Sequence, residues 1–85
     1  MNSLSKSPNI GKVLEKQLNE VGIYTLEDLK QIGSQEAWLK IKLMDPSACL
    51  HRLMALEGAI QGIKKSLLDE QKKQELRDFY YHHRL

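Results

Sequence analysis

Cys49, Leu53, Leu56, Ile60, Ile63 and Leu67 advance by 4, 3, 4, 3 and 4 residues, the spacing that keeps side chains on one stripe of an α-helix. A half-buried strand would show sustained alternation of apolar and polar residues, and the chain as a whole is not organised by that pattern. The chain is therefore committed to helices. The seam follows a break at Asp45-Pro46 and a potential cap at Ser47, and it predicts the longest helix and much of the core. Ala55, Gly58, Ala59 and Gly62 form a second stripe on another side of the same helix. Glycine in a helix interior costs about 1 kcal/mol relative to alanine, so these small residues predict a close helix crossing, inside the monomer or across a homodimer interface. A Gly-xxx-Gly pairing in a membrane is excluded, because Arg52, Glu57, Lys64 and Lys65 would lie in lipid.

The remaining segments read the same way. Residues 1–7 are a polar, flexible leader in which Leu4 alone can reach the core. Pro8 to Gly11 open a first helix with Ile10, Val13, Leu14, Leu18 and Val21 on one face. Gly22 closes it in a left-handed conformation, and Ile23 folds back on the last turn. Thr25, followed three residues later by Asp28, caps a second helix bearing Leu26, Leu29 and Ile32, which Gly33 ends. Ser34 caps a third through about Met44, with Ala37, Trp38, Ile41 and Leu43 as apolar contacts. Asp69 caps a fifth over 70–80, with Leu76, Phe79 and Tyr80 inward, and residues 82–85 form a tail. The expected architecture is all-α, a compact bundle of about five short helices in one domain spanning 8–81.

Composition narrows the function. Apolar residues make up 41% and charged residues 28% of the chain, ordinary for a folded domain and too apolar for a disordered one. The net charge is +2, and the excess lies in residues 34–68, with five basic against three acidic side chains. That is too little to demand nucleic acid but enough for a local patch. One cysteine permits no internal disulfide, and no signal-like or membrane-spanning stretch occurs, so a cytoplasmic location is expected. Catalysis lacks its parts: Cys49 and His51 point about 200° apart on a helix, and there is no Walker loop or dinucleotide fingerprint. The one cysteine and three histidines have no zinc-site spacing. No catalytic residue, metal site or cofactor is expected.

One segment suggests binding. Pro8-Asn9-Ile10-Gly11-Lys12 at a helix start offers free backbone N–H groups, a positive helix end and a lysine, all suited to a phosphate oxygen. Helix-hairpin-helix modules hold nucleic-acid backbones in this manner, although they carry glycine where Asn9 stands and a helix before the turn. An ordinary capped helix start accounts for the same residues at least as well. The candidate nucleic-acid contacts are Asn9, Gly11 and Lys12, with Lys16, Lys40 and Lys42. Lys64 and Lys65 could join Lys40 and Lys42 on one face if their helices pack side by side. Trp38 is placed in the core rather than against a base, while Tyr24 could stack.

The turn Pro8 to Lys12, the run Leu18 to Gly22 with Ile23, Thr25, Leu29 and Gly33, then Cys49-Leu50, and above all Ala55-Leu56-Glu57-Gly58-Ala59-Ile60-Gln61-Gly62-Ile63 resemble the C-terminal domain of the TfoX/Sxy family, regulators of natural competence. The resemblance covers about Leu4 to Leu76. It implies a compact helical domain with helix-hairpin-helix-like character and a regulatory, non-enzymatic role in transcription. In the family an α/β domain precedes this one; the present 85 residues read as a stand-alone or excised version. The Pro-Asn-Ile-Gly turn is shared with other helical nucleic-acid-binding folds, such as the C-terminal domain of the RNA polymerase α subunit. The partners left open are DNA, a transcription factor or RNA polymerase, and a second copy of the chain. The alternative to DNA contact is a self-associating protein-interaction domain.

Overall fold

In a computed structural model, which describes residues 4–83, the chain forms five α-helices: α1 (Lys12–Glu20), α2 (Leu26–Ile32), α3 (Ser34–Met44), α4 (Leu50–Gln61) and α5 (Glu70–His83). Single 3-10 turns at Leu4–Lys6 and Lys65–Leu67 precede α1 and α5. No strand occurs among the described residues.

Helix ends form where the local chemistry requires. Thr25 Oγ1 accepts the Asp28 amide at 3.1 Å, and Asp28 Oδ2 accepts the amides of Thr25 and Tyr24, each at 3.1 Å. The capping box thus satisfies donors that α2 would leave unpaired. Gly22 has φ 87°; its amide donates to Asn19 O, and the Ile23 amide donates to Leu18 O at 2.9 Å. This paired closure seats Ile23 in the core. The same closure recurs after α4, where Gly62 adopts φ 74°, ψ 25° and the Ile63 amide reaches Gly58 O at 3.0 Å.

That second closure shortens the expected seam. α4 ends at Gln61, so α5 is the longest helix. Ile63 lies beyond the turn, half-buried against the core, and Leu67 is exposed while Leu68 takes the buried position. Ser47 does not cap α4; its cap position is Cys49, half-buried rather than buried. Ser34 likewise is the first residue of α3, not its cap, and Gly33 precedes it with φ 88°, ψ 157°. Val13 and Leu43, expected inward, are 70% and 89% exposed. The expected leader is a 3-10 turn from Leu4, and Leu4 is fully buried; residues 1–3 lie outside the described part. At the other end α5 takes in His82 and His83, so the helix runs into the expected tail.

α4 is the hub, packing against α2, α3, α5 and the second 3-10 turn. Leu4, Leu18, Leu29, Trp38, Ile41, Leu53, Leu56 and Leu76 are fully buried, each such side chain contributing about 1.5–3 kcal/mol of burial. Trp38 sits in the core as expected. Its indole N–H donates to Cys49 O at 3.2 Å, and Phe79 and Tyr80 pack against it in T-shaped pairs at centroid distances of 6.0 and 5.7 Å.

Candidate functional site

The Pro8–Lys12 turn contributes to a shallow groove of about 350 Å³, lined by Asn9, Gly11, Lys12, Val13 and Leu14, by His51, Arg52 and Ala55 of α4, and by Lys65. Three separate segments bring basic side chains to one place. Gly11 caps α1 with extended backbone and contributes no side chain. The first helical hydrogen bond runs from the Glu15 amide to Gly11 O, which leaves the Lys12, Val13 and Leu14 amides at the positive end of the helix.

Asn9 is what joins the turn to the far end of the chain. Its side-chain N–H donates to Ile63 O at 2.6 Å, and its side-chain carbonyl accepts the Lys65 amide at 2.8 Å. The amide is therefore used at both ends, 54 and 56 residues away in sequence. Gly58 makes room for it: a Cβ at position 58 would lie 2.7 Å from Asn9 Nδ2 and 2.9 Å from Ile63 O. No described residue other than glycine has a positive φ, so Asn9 does not stand in for a left-handed glycine.

Arg52 lines the groove and is also committed to a hydrogen-bond network around Asp45. Its guanidinium donates to Asp45 Oδ2 at 2.7 Å, and Gln17 Nε2 donates to the same oxygen at 2.8 Å. The Ser47 amide and hydroxyl both donate to Asp45 Oδ1, at 3.0 and 2.6 Å. The Ser47 hydroxyl first, then Arg52, hold the Asp45 carboxyl well below the usual carboxylate range. The network pins the start of α4 to α1.

The sequence-derived contacts separate accordingly. Gly11, Lys12 and Lys16 are exposed at the start of α1, and Lys16 stands one turn from Lys12 on the same face. The Asn9 side chain is engaged within the fold, through Ile63 O and the Lys65 amide. Lys40 lines a different groove, with Val21, Ile23, Asp28 and Gln31. Lys42 bonds to Pro46 O at 2.7 Å and lies 5.8 Å from the Trp38 ring centroid. The expected lysine face joining these two to Lys64 and Lys65 does not form around this groove; of the four, only Lys65 lines it. Of the basic residues that line the groove, the expected contact set omits His51, Arg52 and Lys65. Their adjacency to Lys12 depends on contacts across the chain that no local pattern carries. Of the small stripe, Ala55, Gly58 and Ala59 are buried inside the monomer, and Gly62 is an exposed helix terminator. The close approach expected of the stripe exists at Gly58, but its partner is a side-chain amide rather than a helix.

A second groove, between the start of α3, α4 and α5, has the opposite character. Glu36, Glu57 and Glu75 line it with Ser34, Lys72 and Phe79. Glu57 accepts the Ser34 hydroxyl at 2.6 Å and Gln61 Nε2 at 2.8 Å. Lys72 donates to Glu75 at 3.1 Å, which raises its pKa. Acidic residues outnumber basic ones, so this groove would repel a phosphate. Among the described residues no three His, Cys, Asp or Glu side chains converge to hold a metal ion, and no helix is long and apolar enough to cross a membrane.

Comparison with known proteins adds to this geometry. The family model described as the TfoX C-terminal domain matches residues 1–80. Protein Sxy of Escherichia coli (strain K12) is 34% identical over 76 residues, covering 89% of this chain and 36% of that protein. The chain thus spans about a third of that relative's length. Two crystal structures from Listeria monocytogenes, a triclinic form of an uncharacterized protein and a tetragonal form of a protein of unknown function, superpose with TM-scores of 0.92 at 53% and 52% identity. They cover 93% and 94% of this chain and 90% and 98% of their own.

Proposed function

We propose, from the premise that this chain belongs to the TfoX/Sxy family through its C-terminal domain, that it is a non-enzymatic module of transcriptional regulation of the competence type, one that grips the phosphate backbone of duplex DNA. The observation that carries this reading is the convergence of Lys12, His51 and Lys65 from three segments on one groove beside the N-terminus of α1. Backbone N–H groups and lysines of this kind set register on a duplex and carry no base information. Sequence choice would then come from a partner such as a transcription factor or RNA polymerase.

The test is fluorescence anisotropy of the purified chain on labelled duplex DNA at low and physiological salt. Expected is binding that weakens with salt at a slope of roughly 0.9 per phosphate neutralised. Lys12→Glu should weaken it at least tenfold, since it removes one favourable contact and adds a repulsive charge. Unchanged affinity in that variant would place the DNA elsewhere.

A protein-contact reading has one specific support. Leu43 and Met44 close α3 side by side, 89% and 41% exposed, where a lone apolar residue would pass unremarked. Self-association through them would appear in sedimentation as a concentration-dependent mass that Leu43→Ser abolishes.

A further inference from the structure

We infer that Asn9 is a positioning residue of the phosphate-gripping groove: by holding the Ile63–Lys65 segment against the α1 turn, it sets the Lys65 charge beside Lys12. The inference rests on the DNA reading given above.

Lys65 comes after Gly62, where α4 has ended, and the 3-10 turn of Lys65–Leu67 is too short to fix its own direction. The Lys65 amide donates to Asn9 Oδ1 and the carbonyl two residues earlier accepts from Asn9 Nδ2. One planar side chain thus grips this segment by both a donor and an acceptor, as a neighbouring β-strand would. A second constraint on the same spot is Gly58, whose missing Cβ is the space that the amide fills. A smaller residue at position 9 reaches neither group. A larger one at position 58 displaces the amide from both.

The consequence is a coupling between residues that are not neighbours in sequence. Removal of the Asn9 amide releases Lys65 from the groove although the lysine itself is intact. Asn9→Ala should therefore imitate Lys65→Ala in DNA binding, and the double variant should be no worse than either single one.

The experiment is the same anisotropy titration, on wild type, Asn9→Ala, Lys65→Ala and the double variant, below the melting temperature of each. Expected is a salt slope lower by about one phosphate contact in all three variants, a several-fold loss of affinity at low salt, and non-additivity in the double variant. Gly58→Ala, which displaces the same amide from the other side, is measured alongside and should also lower the slope; it replaces Asn9→Ala if that chain does not fold. A wild-type slope retained in Asn9→Ala, whatever its melting temperature, overturns the positioning role and leaves the DNA reading standing. Absence of salt-dependent binding by wild type overturns the DNA reading, and the positioning role with it.

Discussion

Gly58 carries an unusual combination of pressures for a residue inside a helix. Replacement by alanine would ordinarily stabilise α4 by about 1 kcal/mol, yet here the new methyl would meet Asn9 Nδ2 at 2.7 Å and Ile63 O at 2.9 Å. Overpacking of this sort costs about 1–3 kcal/mol, and backbone on one side leaves little room to yield. Gly58→Ala is therefore expected to destabilise the chain by up to about 2 kcal/mol net of the helix gain, read as a lowered urea midpoint at unchanged slope. Trp38 is the other residue with a single strong expectation. Trp38→Ala removes a fully buried ring, the donor to Cys49 O and the surface on which Phe79 and Tyr80 rest, and should cost about 3–5 kcal/mol in the same measurement. The two residues differ in how far they could be read from sequence. A lone tryptophan among helical apolar spacings announces a core position. The Asn9 amide does not announce its partners, because a hydrogen bond to backbone 54 and 56 residues away leaves no periodicity and no local motif.

At the scale of elements, the ends that close through local hydrogen bonds were legible, whereas the start and the length of α4 were not. Thr25 with Asp28, and Gly22 with Ile23, close within five residues of themselves, so local chemistry determines them. The seam from Cys49 to Leu67 was misleading for a physical reason: its spacing remains helical through Gly62, but a left-handed glycine stops the helix however apolar the residues beyond it. Leu43 shows the converse, since it stands about 200° around α3 from Ile41, off the face that Ala37, Trp38 and Ile41 bury. Gly62→Ala forces a Cβ into φ 74° and should cost about 1–2 kcal/mol despite open space around it. Thr25→Ala removes one half of the capping box and should cost about 1 kcal/mol, with the loss visible as faster amide exchange in the first turn of α2.

For the whole molecule, Asp45 ties α1, the α3–α4 loop and α4 together through Gln17, Ser47 and Arg52. Its folded carboxyl ionises more readily than the unfolded one, so the charged form is favoured by folding. The contribution is fully present at neutral pH and is lost as pH falls through the ordinary aspartate range, below about 4, toward the depressed folded value. Thermal melts from about pH 6 to pH 3 should show a decline that Asp45→Asn makes shallower, at the cost of a lower melting temperature at neutral pH. The five-helix class was legible in the sequence. The assembly of the groove was not, because it needs the N-terminal turn, the start of α4 and the segment after α4 to meet in space.

The packing of Trp38 also gives the chain an optical handle. The only indole in the protein is shielded from water by two rings of the last helix, so its emission reports whether α5 is seated. Lifting α5 away would wet the ring and shift its fluorescence to the red while α1 to α4 could keep their helical signal. An unlabelled sample can thus reveal whether a bound partner leaves the C-terminal helix in place or peels it off.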